Sequence, residues 1–133
     1  MKDFLNTRVK FREEFRPFAP AILNEYTEEY FEIQQESPHM LINAKVRNEK
    51  AEEVSAAIHI DNTARVQTVK PENNIRFRKL LEAFYKKTNC PVLLNTSFNI
   101  KGQPIVNSPD EAIDCFLGTN IDVLTIGDFI LEK

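Results

Sequence analysis

Only three glycines, Gly102, Gly118 and Gly127, occur in the 133 residues of this chain. That scarcity removes the glycine-dependent ways of holding a nucleotide. A Walker phosphate loop and a GxGxxG turn each need glycines at spacings that these three positions do not supply. Any phosphate bound here must therefore be held by side chains on a sheet. With 42% of residues apolar and 28% charged, the chain reads as one domain, 1–133, with a core large enough to need no disulfide or metal staple. A net charge of −3 argues against a general nucleic-acid or membrane-surface binder. No apolar run approaches the ~18 residues of a membrane span. The opening MKDFLNTRVKFR lacks the apolar region of a signal peptide, so the expected compartment is the cytoplasm. Cys90 and Cys115 share no zinc-ligand spacing and read as two small buried apolar residues.

Alternation predicts a first strand from Thr7 to Arg12, with Val9 and Phe11 on one face. Further strands are expected at Leu41–Val46, Val54–Ile60 and Ala64–Val69. Asn73 or Asn74 can cap a helix reaching about Lys87, with Ile75, Phe77, Leu80, Leu81 and Phe84 on its apolar side. Val92-Leu93-Leu94 then opens a strand buried on both faces. Ser108-Pro109-Asp110-Glu111 is a helix start, with Gly118 as its stop and a closing strand from Val123 to Leu131. The glutamates of residues 25–36 and the bases of 76–87 read as solvated helix faces. Elements that interleave in this way fit an α/β or α+β fold, a twisted mixed sheet with flanking helices.

Arg8, Lys10 and Arg12 would share one face of the first strand, and their mutual repulsion would be relieved by an anion. Arg16 follows in the rigid Phe15-Arg-Pro-Phe-Ala-Pro20 segment. The competing reading is a solvated edge strand balanced by Glu13 and Glu14. Asn95, Ser97 and Asn99 would share a face if their strand continued, although Asn and Ser caps in a turn account for them better. Around Asp61-Asn62-Thr63 a tight turn is expected, with Asn62 at positive φ, Asp61 accepting backbone N–H groups and Arg65 just beyond. His59 and His39 have no partner in sequence, and no Ser/His/Asp order or activated cysteine can be defended.

Lys10-Phe-Arg12 and Ser97-Phe-Asn99 resemble the KxR and SxN pair of the YrdC-like nucleotide-binding fold. The longer blocks MKDFLNTRVKFREEFRPFAPAI, SPHML, HIDNTARVQTV and PVLLNTSFNIKGQPIVNSPDEAIDCFLGT are similar to the C-terminal domain of the nodulation, tobramycin and cephamycin type of O-carbamoyltransferase. The resemblance runs over essentially the whole chain. It implies a YrdC-like domain that takes ATP, with Mg²⁺, and carbamoyl phosphate, and forms carbamoyl adenylate with release of pyrophosphate and phosphate. Transfer to a hydroxyl acceptor would fall to an N-terminal Kae1-like domain, which carries the transfer-site metal and is absent here. The resemblance carries over Lys10 and Arg12 as catalytic and nucleotide-binding, Arg65 likewise, and Arg16, Ser97 and Asn99 as substrate- or nucleotide-binding, with no metal ligand in this chain. Bidentate arginines suit the many phosphate oxygens involved. Where the family has glycine this chain has Asn62, the next most tolerant residue for a left-handed turn. Two alternatives are a YrdC-like domain of threonylcarbamoyl-adenylate synthesis or hydrogenase maturation, and a non-catalytic module binding nucleotide or RNA.

Overall fold

Ala19 to Leu23 is an unbroken run of buried residues, and it forms the strand (β1, Ala19–Leu23) on which the main sheet is built. The computed structural model describes residues Met1–Lys133. They divide into two units, Pro17–Thr96 on one hand and Met1–Arg16 with Ser97–Lys133 on the other.

In the first unit, β1 is followed by a short helix (α2, Thr27–Tyr30; α1 lies at the N-terminus, below) and by strands β2 (Phe31–Glu32), β3 (Ile42–Val46) and β4 (Thr63–Val69). A long helix (α3, Ile75–Thr88) and strand β5 (Val92–Asn95) complete it. The order across the sheet is β2-β3-β4-β1-β5. β1 and β4 run parallel, with Ala21 opposite Gln67, and every other neighbouring pair is antiparallel. The sheet is mixed and flanked by helix, as expected.

Alternation along β1 serves two cores. Ile22 faces a cluster containing Tyr30, Phe31, Val46, Val66 and Val92. Ala21 and Leu23 face the other way, onto Val69 and Leu81 beneath α3. Helix α3 starts where Asn74 accepts the Phe77 N–H (3.1 Å) and ends at Asn89 in the left-handed region (φ 59°). Phe77, Leu81 and Tyr85, spaced four apart, are its packed side, whereas Ile75 and Leu80 are exposed. Arg78 forks between Glu25 (2.7 and 2.5 Å) and Glu82 (2.7 Å), tying α3 to the segment after β1.

Several expected elements differ. β1 itself was hidden by Pro17 and Pro20. Pro20, the second residue of β1, stands opposite Leu94 of β5, but pairing with β4 begins only at Ala21, so it lies near the strand start, where proline is tolerated. Residues 54–60 are not a strand. A 3₁₀ turn (Ser55–Ala57) buries Val54 and Ala57, three apart, and leaves Ile60 wholly exposed. β5 lies at the sheet edge, so only Val92 of its apolar run is buried. The glutamates after Glu25 are spread over a short helix (Glu28, Glu29), a strand (Glu32) and a loop (Glu36) rather than one helix face.

In the second unit, residues 7–12 are not a strand. A short helix (α1, Lys2–Phe4) runs into a π-helical turn (Leu5–Val9), which buries Asn6, Val9 and Lys10 at helical spacing. Helix α4 (Pro109–Leu117) has the expected start, with Ser108 accepting the Glu111 N–H (3.2 Å), and it buries Ala112 and Phe116. The closing strand is two, β6 (Val123–Ile126) and β7 (Phe129–Glu132), paired as a hairpin through Gly127 at φ 59°. The Lys133 ammonium donates to the carbonyls of Phe116, Leu117 and Thr119, capping the end of α4. No helix is long and apolar enough to cross a membrane.

Candidate anion-binding site

Lys10 ends the π-helical turn, and the chain then bends sharply through Phe11, an aromatic residue in the left-handed region (φ 51°). This bend, rather than strand alternation, brings Lys10, Arg12 and Arg16 around one small polar cavity of about 170 Å³. Ser97 and Asn99 line the same cavity. Five of the six residues singled out from the sequence thus meet in one place. Arg8 is exposed and does not line the cavity, because the strand that would have aligned it does not form. Arg65, the sixth, lies on β4 in the other unit, and its side chain is exposed.

Lys10 is almost completely buried, at 4% exposure, and its ammonium is already engaged. It donates to the Ser97 carbonyl, to the Asn99 carbonyl (3.0 Å) and to Asn99 Oδ1 (3.2 Å). Ser97 Oγ donates to Asn99 Oδ1 (2.6 Å), and Asn99 Nδ2 donates to the Gln103 carbonyl (2.9 Å). Residues 97–99 are therefore a loop whose polar side chains satisfy one another, as turn chemistry suggested, and β5 has ended at Asn95. Asn95 does not join them. It donates to Gln67 Oε1 (2.6 Å) in the sheet unit.

Charge is crowded here. Burial, together with Arg12 and Arg16, pushes the Lys10 ammonium from its ordinary 10.5 down to about 8, with Cys115 opposing. Burial and Arg16 also hold Arg12 below the usual guanidinium range. Glu13, an acidic group beside these cations, is held low by the hydrogen bond it accepts from Lys101 (2.6 Å). Lys101 itself lines the cavity and was missed in the sequence. It stands two residues after the asparagine of SxN, and the left-handed Gly102 (φ 81°) that turns the loop beside it was a readable signal. Asn6 was missed as well. It is fully buried, and its side chain accepts from Arg12 Nε (2.7 Å). A pocket with this surplus of cations favours a multiply charged anion.

A second cavity of about 350 Å³ shares Ile100 and Gln103 with the first and is walled by Pro104, Val106, Asp114 and Cys115 among others. Both cysteines are free and half-buried. No group of three or more His, Cys, Asp or Glu side chains that could hold a metal ion is present. In the sheet unit Asn62 takes the expected left-handed conformation (φ 60°), and Asp61 Oδ1 accepts the Thr63 N–H (3.1 Å). His59 is half-buried, and its N–H donates to the Thr63 carbonyl (2.7 Å) in the same turn.

The family model described as carbamoyltransferase C-terminus matches residues 1–133. Nodulation protein NolO of Bradyrhizobium diazoefficiens is 43% identical over 99% of this chain and 25% of its own length. Nodulation protein U of Azorhizobium caulinodans is 42% identical over 89% of the chain and 20% of its own length. The 3'-hydroxymethylcephem-O-carbamoyltransferase of Streptomyces clavuligerus is 36% identical over 96% of the chain and 24% of its own length. The chain thus spans a fifth to a quarter of the length of these relatives. On this match it belongs to the carbamoyltransferase C-terminus family.

Proposed function

We propose that this chain is the ATP- and carbamoyl phosphate-binding part of an O-carbamoyltransferase. The observation that carries the reading is the cavity at which Lys10, Arg12, Arg16 and Lys101 converge. Phosphate oxygens are the natural complement of paired guanidinium groups. The larger cavity that adjoins it, with apolar walls at Ile100, Pro104 and Val106, has the size of a small-ligand site and would take the adenosine half.

In this reading water cleaves carbamoyl phosphate to carbamate and inorganic phosphate, and a carbamate oxygen then attacks the α-phosphorus of ATP. Pyrophosphate leaves and carbamoyl adenylate forms. Such a displacement depends on alignment and charge stabilisation, which fits a site rich in cations and without a general base. Arg12 and Arg16 would bind phosphate oxygens. Lys10 would hold the Ser97–Asn99 loop and add its charge to the field. Mg²⁺ would arrive with the ATP and keep its waters. Transfer of the carbamoyl group to a hydroxyl would need a further domain, in keeping with the greater length of the relatives.

Phosphorus NMR of Mg·ATP and of carbamoyl phosphate, recorded with and without the protein, tests the reading. Shifted or broadened phosphate resonances are expected with the native chain and not with Arg12→Ala. Resonances unmoved by the native chain, or moved equally by Arg12→Ala, would sink it.

A further inference from the structure

We infer that Asn6 is a positioning residue, which holds Arg12 and the backbone of residues 14–16 in the shape that makes the cation cavity. The inference rests on the anion-binding reading above for its function, but not for its geometry.

Asn6 is fully buried, and each polar group of its side chain is used. Oδ1 accepts from Arg12 Nε at 2.7 Å. Nδ2 donates to the Glu14 carbonyl at 3.0 Å and to the Arg16 carbonyl at 2.8 Å. The Asn6 carbonyl accepts the Arg12 N–H at 2.8 Å, so the residue grips Arg12 at backbone and side chain together. An amide side chain presents one acceptor and two donors, and all three are matched here by one loop.

The loop needs such a clasp. Phe11 sits at φ 51°, a conformation costly for a bulky side chain, and its ring is 47% exposed, so ring packing does little to hold it there. Arg12 and Arg16 line the same cavity, and their like charges repel, which adds to burial in lowering the Arg12 pKa. Asn6 lies in the π-helical turn, where Val9 and Lys10 are buried beside it, and so anchors the loop to a fixed base. Preorganised donors lose less on binding an anion than donors that must first be assembled.

Asn6→Ala and Asn6→Asp test this by two readouts. The first is the Arg12 Nε–H resonance in a nitrogen–proton spectrum, which should exchange slowly with water in the native chain and vanish in Asn6→Ala. Asn6→Asp keeps an acceptor for Arg12 but loses both donors to residues 14 and 16, so the resonance should persist. The second is Mg·ATP affinity, which should fall about tenfold or more in Asn6→Ala, while backbone amide shifts of Pro17–Thr96 stay in place. An Arg12 Nε–H equally protected in a folded Asn6→Ala overturns the inference, as does an unchanged affinity. If Asn6→Ala does not fold, Asn6→Asp decides, and loss of its Arg12 Nε–H protection overturns the inference. A native chain that binds no Mg·ATP defeats the functional reading instead, and the Arg12 resonance alone then decides the positioning claim.

Discussion

Replacing Lys10 by methionine should destabilise the protein, and by an amount that grows as the pH is raised through the weakly alkaline range. The ammonium holds the carbonyls of Ser97 and Asn99 and the Asn99 side chain, and hydrogen bonds from charged donors contribute about 1.5–3 kcal/mol each. Against that stands the penalty that lowers Lys10 from 10.5 to about 8, which taken whole corresponds to about 3 kcal/mol. Part of the lowering comes from Arg12 and Arg16, whose charges solvent screens, so about 1–2 kcal/mol is the realistic share. Below pH 8 the folded protein bears this penalty in full, and with three such bonds lost the net loss on Lys10→Met is about 3 kcal/mol or more. Between about 8 and 10.5 the unfolded chain binds more protons at this position than the folded one. The free energy of unfolding therefore gains a positive slope with pH from Lys10 alone. The gap between native and Lys10→Met should widen by about 1–2 kcal/mol across that window, because the deprotonated amine no longer carries a buried charge and still has two N–H donors for the loop. Urea unfolding of both proteins at pH 7, 8.5 and 10 measures the gap, and titrations common to both cancel. A gap that stays level or narrows with rising pH would refute the reasoning.

Other expectations follow from single contacts. Lys133→Ala should lower stability by about 1 kcal/mol, seen as a lower melting temperature, because three carbonyls at the end of α4 lose their donor. Leu81→Ala, a fully buried position under α3, should cost about 2–4 kcal/mol in urea unfolding. Asn62→Val should cost about 2 kcal/mol in the same assay, since a β-branched residue resists φ 60° and the bonds from Asn62 to Val46 O and Asn48 are lost. Asn62→Gly should lose only the latter. Arg65→Ala should leave unfolding unchanged within about 0.5 kcal/mol, its side chain being exposed on β4. If Arg65 takes part in substrate binding, calorimetry with carbamoyl phosphate will show the loss.

The mixed sheet was legible because its middle strands and α3 carry ordinary signals. Asn74 and Ser108 are helix caps in both sequence and structure, and β3 and β4 fall within a residue of their alternating runs. The failures have physical causes. Residues 7–12 alternate polar and apolar, but Asn6, Val9 and Lys10 are what the fold buries, and their spacing is helical. A buried lysine beside a buried asparagine is a tertiary arrangement, supported by carbonyls about ninety positions away at Ser97 and Asn99, and no local pattern foretells it. β1 was masked by prolines whose cost vanishes at a strand start. Five residues of the cavity are nevertheless named in the sequence, Lys10 and Arg12 on a strand face that does not form and through the KxR motif, and Arg16, Ser97 and Asn99 through motif, whereas Lys101 is not. What motif reading could not supply was their division of labour. Lys10 and Asn6 are spent on shaping the loop, a role that appears only once hydrogen-bond partners are known.

Calorimetric titration of the purified chain with Mg·ATP, in the absence and presence of carbamoyl phosphate, tests the central claim most directly. The account predicts saturable binding of Mg·ATP that carbamoyl phosphate strengthens and that Arg12→Ala abolishes. No heat of binding for either ligand, with the chain folded, would contradict it.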